Sequence, residues 1–206
     1  MPSQDKLVLL EADAPDDPLA LFSQWYLAAE AAELPEPSAM TLCTASHDGF
    51  PHGRMVLMRG FDERGFNFYT NYQSLKAEQI AANPRAALVF FWAPLMRQVR
   101  IEGQVEVLTA EESDAYFKTR PRGHRLGAHA SPQSQVIADR SILEDRLDEV
   151  TKRFADTEDV PRPSHWGGYR VIPLRFEFWQ GRENRLHDRL RYTHAGIGWL
   201  RERLAP

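Results

Sequence analysis

The sequence has few of the features that mark secreted, membrane-spanning or disulfide-bonded proteins. Its 206 residues include one cysteine, Cys43, so no internal disulfide can form, and the apolar neighbours of this residue predict a buried thiol without a chemical role. No run approaches the roughly 18 apolar residues that span a bilayer, and the acidic start MPSQDKLVLLEADAPDDP is unlike a signal peptide. We therefore expect a cytoplasmic protein without a membrane partner.

Several familiar catalytic motifs are missing as well. The sequence contains no HExxH, CxxC, Walker A, GxGxxG or GxSxG pattern, so zinc hydrolases, nucleoside triphosphatases, Rossmann dehydrogenases and serine hydrolases have no support. His47 and His52 lie in a predicted turn, and we expect these two, like His165 and His194, to be surface residues rather than metal ligands. No metal site is predicted.

Positive charge is in deficit overall but not throughout the chain. The formal net charge is -4, yet residues 1 to 36 hold eight acidic side chains and one lysine, so the remaining body is slightly basic. This balance argues against a nucleic-acid partner and is compatible with small phosphorylated ligands. We expect residues 1–17 to form a polar acidic tail that stays solvated, and residues 18–206 to form one domain, because a chain of this length suits a single core.

Short β-like segments dominate the rest of the chain. Asp17 and Pro18 predict the start of an amphipathic helix that ends at Pro35. Strands are predicted at residues 39–46, 54–59 and 66–72, and in RAALVFFW, RQVRIEGQVEVL, GGYRVIP, RFEFWQG and RENRLHDRLRY. Helix starts are predicted at Ser74, at Thr109 with Glu112, and at Ser141 with Glu144. The segment RPRGHRLGAHASPQSQ is predicted to be an ordered loop. About eight antiparallel strands with peripheral helices predict a mainly β protein, a closed or partly closed barrel.

The segment from Arg185 to Tyr192 carries the strongest chemical signal. In a strand, its alternation would place four potentially cationic side chains on one face, namely Arg185, His187, Arg189 and Arg191. Such groups repel one another, so either acids on a neighbouring strand or an anionic ligand must neutralise them. A solvent-exposed strand with scattered charges is the plainer alternative.

Two further basic elements are less specific. RPRGHR, which follows Tyr116, either binds phosphate through its arginines or complements the negative end of the preceding helix. In SLKAEQ, Ser74 and Lys76 stand at a helix N-terminus that favours an anion. The five tryptophans are expected mostly in the core, although one beside the cationic segment could form the wall for a flat ring.

A set of ordered blocks resembles the pyridoxine/pyridoxamine 5'-phosphate oxidase family from about Pro35 to Pro206. The blocks are RMVLMRG, FYTNYQSLK, NPRAALVFFW, RQVRIEG, YFKTRPRG, SPQS and EFWQGRENRLHDRLRY with a terminal RLAP. The resemblance implies a split β-barrel, antiparallel and Greek-key-like, that forms a homodimer with FMN at the subunit interface. It also implies oxidation of pyridoxine or pyridoxamine 5'-phosphate to pyridoxal 5'-phosphate by O2, giving hydrogen peroxide and, from the amine, ammonia.

The same resemblance assigns roles to individual residues. FMN would be bound, in part from the opposite subunit, by Arg54, Met55, Val56, Leu57, Met58, Arg59, Tyr69, Thr70, Lys76, Gln98, Gln133, Ser134, Trp179 and Arg189. Substrate would be contacted by Arg59, Tyr116, Arg120, His124, Arg185, Leu186 and His187. Arg185 and His187 are the catalytic candidates.

This chain departs from the family pattern at four of its positions. Arg59 stands where a lysine is usual, Leu75 replaces an arginine, His124 a serine and His129 a tryptophan. Two alternatives therefore stay open beside the vitamin B6 oxidase. One is a split-barrel flavin oxidase acting on another flat anionic ring compound, and the other is a noncatalytic carrier of FMN or pyridoxal phosphate.

Overall fold

An antiparallel sheet of nine strands organises residues 8 to 206, the part of the chain that the computed structural model describes. The strands are β1 (Ala39–Ala45), β2 (Pro51–Leu57), β3 (Phe61–Asp62), β4 (Gly65–Asn71), β5 (Arg85–Trp92), β6 (Arg97–Val107), β7 (Trp166–Gln180), β8 (Asp188–His194) and β9 (Trp199–Arg203). Their order is β2-β1-β5-β6-β7-β4-β3, with β8 also paired to β7, and β9 to β8. Strand β7 is the branch point, because its first half pairs with β4 and its second half with β8. This forked sheet confirms the predicted split barrel.

Five α-helices flank the sheet in this part of the chain. They are α1 (Pro18–Ala31), α2 (Leu75–Ala82), α3 (Ala110–Thr119), α4 (Arg122–Ala130) and α5 (Ser141–Arg153). Helix α1 begins as predicted, since the Asp17 carboxylate accepts a hydrogen bond from Leu19 N at 3.0 Å. The predicted capping box between Thr109 and Glu112 is also confirmed. Within residues 8 to 206, no helix is long and apolar enough to cross a membrane.

Alternation along the strands builds the core inside the barrel. Leu42 of β1, Phe90 of β5 and Phe178 of β7 point inward and are fully buried. Phe22 of α1 packs edge-on against Phe66 and Phe90, with ring centroids 4.8 and 5.1 Å apart. Each of these aromatic side chains contributes about 1.5–3 kcal/mol by leaving water. Helix α1 therefore covers the core and leaves the outer faces of the strands available for ligands or a partner.

Helix α4 replaces most of the loop predicted over RPRGHRLGAHASPQSQ, so that prediction is wrong for residues 122–130. Leu126 and Ala130 lie one turn apart and pack with Val150 of α5 and with Val160 in a small second core. Two apolar side chains among arginines, histidines and glycines are too few to reveal a helical period in the sequence.

Four other local predictions are also corrected. Helix α5 lacks the predicted capping box, because its N-cap is Arg140, whose Nε donates to Glu144 at 2.8 Å. Cys43, expected to be buried, is half-exposed because it lies on the outward face of β1. GGYRVIP and RFEFWQG form the single strand β7, and β2 begins at Pro51 rather than Arg54.

Residues 8 to 17 pack against β8 and β9, although we expected the acidic tail to stay solvated. Leu9 and Ala14 are buried, and the Arg203 guanidinium donates to Leu9 O at 2.8 Å and pairs with Glu11 at 2.6 Å. The apolar side chains of VLLEA and the basic side chains of β9 account for this contact. Residues 1 to 7 of the predicted tail lie outside the described residues, and the domain boundary at residues 17 and 18 stays a prediction.

Candidate functional site

Arg54 lies on β2 and, within residues 8 to 206, is held by neutral oxygen atoms only. Its Nη1 donates to Leu42 O at 3.1 Å and to Thr44 Oγ1 at 2.5 Å, and its Nη2 donates to Gln79 Oε1 at 2.9 Å. Burial lowers the pKa of this guanidinium, yet among residues 8 to 206 no carboxylate lies within ion-pair distance of it. A half-buried arginine in this condition is suited to an anionic ligand.

Lys76, in the first turn of α2, is a second cation without a carboxylate among the described residues. Only 9% of it is exposed, and Nζ donates to Thr70 Oγ1 at 3.1 Å and Ser74 Oγ at 3.0 Å. Burial, reinforced by the charge of Arg54, lowers the pKa of Lys76 to about 8. Two neighbouring buried cations, of which Arg54 lowers the pKa of Lys76, favour a ligand with about two negative charges, such as a phosphate monoester.

The segment after α4 reaches this corner through Gln133. Its Oε1 accepts hydrogen bonds from Thr70 Oγ1 at 3.1 Å and from Asn71 N at 3.3 Å, and Ser134 follows in the left-handed region with φ 72°. Thus four of the predicted cofactor residues, Arg54, Thr70, Lys76 and Gln133, are brought to one corner. Its hydroxyls, amide and cations fit the phosphate end of FMN.

A stack of three aromatic rings forms a second corner. The rings of Tyr69 and Tyr116 lie 3.8 Å apart and 15° from parallel, and Tyr69 lies 5.6 Å from Trp166 at 11°. Burial raises the pKa of Tyr69 to about 12, so its hydroxyl stays protonated. Gly168 faces Tyr69 across the β4–β7 pair, and a methyl group there would approach Cε1 of Tyr69 to 2.7 Å. The absence of a side chain at Gly168 is therefore what allows the stack to form.

Arg120 provides the cation of this aromatic corner. Its guanidinium lies 4.6 Å from the Trp166 ring, and its Nη1 is buried without a hydrogen-bond partner in the described residues. Burial lowers the pKa of Arg120, and Arg59 lowers it further through charge repulsion. A buried N–H group without an acceptor costs about 1–3 kcal/mol, so this corner is also suited to an anion.

The third group of predicted residues surrounds the turn between β7 and β8. Arg182 N donates to His187 Nδ1 at 3.0 Å, and the His187 ring lies 4.7 Å from the Trp179 ring. Since Nδ1 accepts this bond, the neutral imidazole carries its hydrogen on Nε2. Asn184 and Arg185 both adopt left-handed backbone, with φ 55° and 61°, and the Arg185 side chain is exposed.

The prediction that Arg185 and His187 lie on a strand is wrong, because β8 begins at Asp188. Arg189 and Arg191 do lie on one face of β8. Both are neutralised by neighbouring strands, Arg189 by Glu177 of β7 and Arg191 by Glu202 of β9, each at 2.8 Å. The sequence left open whether acids or an anionic ligand neutralise the cationic segment. For the part of it that forms β8, acids on the adjacent strands do so. Arg185 in the turn has no carboxylate partner among residues 8 to 206.

The remaining predicted residues lie around these groups. On β2, Met55 is 63% exposed, and Val56 and Leu57 are half-buried. Just beyond the end of this strand, Met58 is buried and Arg59 is exposed. Gln98 of β6 lies opposite Trp179 in the β6–β7 pair. Leu186 is 70% exposed in the turn, and His124 is exposed on α4. Strand β2 lies at one end of the strand order, whereas β8 branches from β7, and among residues 8 to 206 no hydrogen bond joins the Arg54 corner to the turn of Arg185.

Sequence reasoning missed several residues that shape these corners. Thr44 and Gln79 hold Arg54, Trp166 completes the aromatic stack, and Arg182 fixes the His187 ring. Only Gln79 had a usable signal, since it stands three residues after Lys76 on the same helical face. Leu75, where an arginine was expected, is 46% exposed at the start of α2.

Comparison with known proteins gives consistent matches along nearly the whole chain. Residues 27–154 match the family described as "Pyridoxamine 5'-phosphate oxidase", and residues 166–206 match "Pyridoxine 5'-phosphate oxidase C-terminal dimerisation region". A pyridoxine/pyridoxamine 5'-phosphate oxidase from Pseudomonas paraeruginosa is 61% identical over 200 residues, covering 96% of this chain and 93% of the relative. One from Synechocystis is 58% identical over 198 residues, covering 96% and 92%.

Solved structures resemble the fold closely. PhzG from Burkholderia lata, in complex with tetrahydrophenazine-1-carboxylic acid, has a TM-score of 0.90 at 32% identity, covering 97% of this chain and 98% of that one. A pyridoxamine 5'-phosphate oxidase-related, FMN-binding protein from Nostoc punctiforme has a TM-score of 0.73 at 19% identity, covering 92% and 98%. The second likeness concerns the fold alone.

Proposed function

Since this chain belongs to the pyridoxine/pyridoxamine 5'-phosphate oxidase family, we propose that it oxidises both of these phosphates to pyridoxal 5'-phosphate with FMN as cofactor. Oxygen is the electron acceptor, and the products include hydrogen peroxide and, from the amine, ammonia. The observation that carries the proposal is the pair of anion-binding corners, one around Arg54 and Lys76 and one around Arg120. A phosphorylated cofactor and a phosphorylated substrate need two such corners.

The first corner is assigned to the cofactor. Arg54 and Lys76 would bind the FMN phosphate, with Thr70 and Gln133 supplying hydrogen bonds from the edge of β4 and from the segment after α4. When bound, FMN accepts a hydride from the substrate's C4' carbon and passes the electrons to O2. The two cations enter the complex already desolvated, so their attraction for phosphate is stronger than it would be at an open surface.

The second corner is assigned to the substrate phosphate. Arg120 is fixed against Trp166, and its Nη1, which has no hydrogen-bond partner in the described part of the chain, supplies a directed hydrogen bond. Arg59 adds positive charge nearby, and Tyr116 lies against Tyr69 in the stack. Holding the phosphate on a rigid aromatic wall would fix the position of the substrate ring relative to the cofactor.

The turn with Arg185 and His187 is assigned to the reacting end of the substrate. His187 already accepts a hydrogen bond at Nδ1, so Nε2–H is the ring atom that can donate to the substrate. His187 therefore acts as a donor that orients the alcohol or amine. The left-handed backbone at Arg185 costs about 1–3 kcal/mol, a strain that is typical of functional turns and that presents this guanidinium outward.

The protein works as a homodimer with FMN between its subunits. The dimerisation region spans β7 to β9, and large apolar side chains such as Phe50, Met55 and Phe91 are exposed on β2, β5 and their neighbours. We assign the Arg54 corner of one subunit and the turn of Arg185 from the other to the same active site. We also assign the protein to the cytoplasm, where a single unpaired thiol such as Cys43 stays reduced.

Anaerobic mixing of the FMN-loaded protein with pyridoxine 5'-phosphate tests the proposed reaction. The absorbance band of oxidised flavin should bleach and then recover when air is admitted, with pyridoxal 5'-phosphate formed in the amount of flavin reduced. A flavin that binds but never bleaches, with either the alcohol or the amine, would refute the oxidase and favour a carrier.

A second candidate function is oxidation of another flat anionic ring compound. It is favoured by the likeness to PhzG, whose structure contains tetrahydrophenazine-1-carboxylic acid. Identity of 58–61% to the vitamin B6 enzymes against 32% to PhzG supports the first candidate. Offering the reduced phenazine carboxylate in the same anaerobic experiment distinguishes the two, because only the true substrate class bleaches the flavin rapidly.

A further inference from the structure

Gln79 is a buried amide of α2 that contacts the Arg54 guanidinium. Only 3% of it is exposed, and its Oε1 accepts hydrogen bonds from Arg54 Nη2 at 2.9 Å and from Thr44 Oγ1 at 2.6 Å. Its Nε2 is buried and has no hydrogen-bond partner in the described residues. The amide therefore uses its acceptor fully and leaves its donor free.

The orientation of this amide follows from its neighbours. Thr44 Oγ1 accepts a hydrogen bond from Arg54 Nη1 at 2.5 Å, so the hydroxyl hydrogen of Thr44 points to Gln79. Exchanging the amide oxygen and nitrogen would set Nε2 against the donors of Arg54, which have no capacity to accept. Oε1 must therefore face the guanidinium.

A neutral partner contrasts with the carboxylates that hold several other buried or half-buried arginines of this chain. Arg170 is paired with Glu106 at 2.6 Å and with Glu112 at 2.8 Å, and Arg189 is paired with Glu177. A carboxylate at position 79 would orient Arg54 equally well but would cancel its charge. The amide orients the guanidinium and leaves the charge available to an anion.

We propose that Gln79, together with Thr44, is a positioning residue that directs the uncompensated charge of Arg54 to the FMN phosphate. The inference rests on the proposed function, which assigns this corner to that phosphate. The free Nε2–H of Gln79, beside the same guanidinium, is an additional donor to the anion. Because Leu75 contributes no charge at the start of α2, binding depends heavily on Arg54 and Lys76, and the neutrality of position 79 matters more.

The substitution Gln79→Glu tests this proposal because it preserves shape and acceptor but adds a negative charge. Full-length protein freed of flavin is titrated with FMN and, separately, with riboflavin, which lacks the phosphate. The dissociation constant for FMN should rise about tenfold or more, since the new carboxylate lies beside the phosphate site, whereas that for riboflavin should change less than about twofold. Gln104→Glu on β6 is the matched control, an exposed glutamine given the same charge, and should leave both constants unchanged.

The possible results distinguish a failure of the role proposed for Gln79 from a failure of the assignment of this corner to the FMN phosphate. If the unchanged protein binds FMN no better than riboflavin, the assignment of this corner to phosphate fails. If it prefers FMN and Gln79→Glu retains that preference, only the role of Gln79 fails, and an equal loss of both flavins would also overturn it. If circular dichroism shows that Gln79→Glu does not fold, Thr44→Val is the alternative variant, because it removes one neutral partner of Arg54. It should weaken the binding of FMN but not that of riboflavin. An unchanged FMN affinity would count against the proposal.

Discussion

Raising the pH above 8 should weaken FMN binding through loss of one proton from Lys76. Burial of this ammonium group, reinforced by the charge of Arg54, lowers its pKa to about 8 in the flavin-free protein. A bound phosphate would bring the pKa back toward the ordinary value of 10.5, because it supplies the missing counter-charge. Above pH 8, binding therefore requires uptake of a proton, and the affinity must fall as the pH rises.

The size of the effect follows from the linkage between proton and ligand. Half of the Lys76 side chains are protonated at pH 8, and about one tenth at pH 9, when the pKa is about 8. The dissociation constant for FMN should accordingly rise about fivefold between these two values and approach about tenfold per pH unit beyond them.

Fluorescence titration of the flavin-free, full-length protein from about pH 7.5 to about pH 9.5 at constant ionic strength measures this dependence. Riboflavin serves as one control, since it has no phosphate and its affinity should not follow Lys76. Lys76→Arg serves as the other, because a guanidinium keeps its charge throughout this range and should make FMN affinity independent of pH. A constant FMN affinity in the unchanged protein, or an equal decline for riboflavin, would refute the reasoning.

Three further predictions concern the other parts of the site. Arg185→Ala should reduce turnover of pyridoxine 5'-phosphate far more than FMN content, and equal losses in the two measurements would remove its proposed catalytic role. Arg120→Met should raise KM for the same substrate about tenfold or more while FMN content stays unchanged, because the substrate phosphate loses a charged hydrogen bond; a normal KM would exclude Arg120 from the substrate site. Gly168→Ala should lower the free energy of unfolding by about 1–3 kcal/mol, because its methyl group would meet both Leu108 and Tyr69. Thermal unfolding checks this against Gly127→Ala in α4, where the methyl group meets nothing within 4 Å, and equal effects of the two changes would contradict it.

The strands of the barrel could largely be predicted from the sequence because buried side chains alternate along several of them, such as β1 and β5. RAALVFFW gave β5 with its observed ends, since Leu88 and Phe90 point inward and turn residues stand before the strand. The sequence predicts GGYRVIP and RFEFWQG as two strands, whereas in the structure β7 continues through Pro173. In the structure, the register shifts beside Pro173 at Glu102 and Gly103 of β6, and a methyl group at Gly103 would lie 2.1 Å from Ile172 O. A bulge between two distant strands accommodates the proline, and no local pattern reveals it.

The turn between β7 and β8 shows the limit of periodicity in the candidate site. RLHDRLR alternates through Arg185 and His187 in the same way as through Arg189 and Arg191, so the pattern alone extends the strand too far. Strand β8 begins only at Asp188, because the preceding residues form a turn with left-handed backbone at Asn184 and Arg185 and a hydrogen bond from Arg182 N to His187. These are contacts of a folded turn, and the resemblance to the family indicated the importance of its residues without indicating its shape.

Neutral partners alone do not define a ligand site, and Arg97 shows why. Its guanidinium also lacks a carboxylate among the described residues, donating instead to Gln180 Oε1 at 2.9 Å, but it lies 4.5 Å from the Trp25 ring, which supplies a π-face as partner. Within the described residues, no aromatic ring lies against the Arg54 guanidinium. Arg54 is also close enough to Lys76 to lower the pKa of its ammonium group. Two cations held together at such a cost make sense only if an anion relieves the repulsion, and for this reason we assign the Arg54 corner, and not Arg97, to the phosphate of the cofactor.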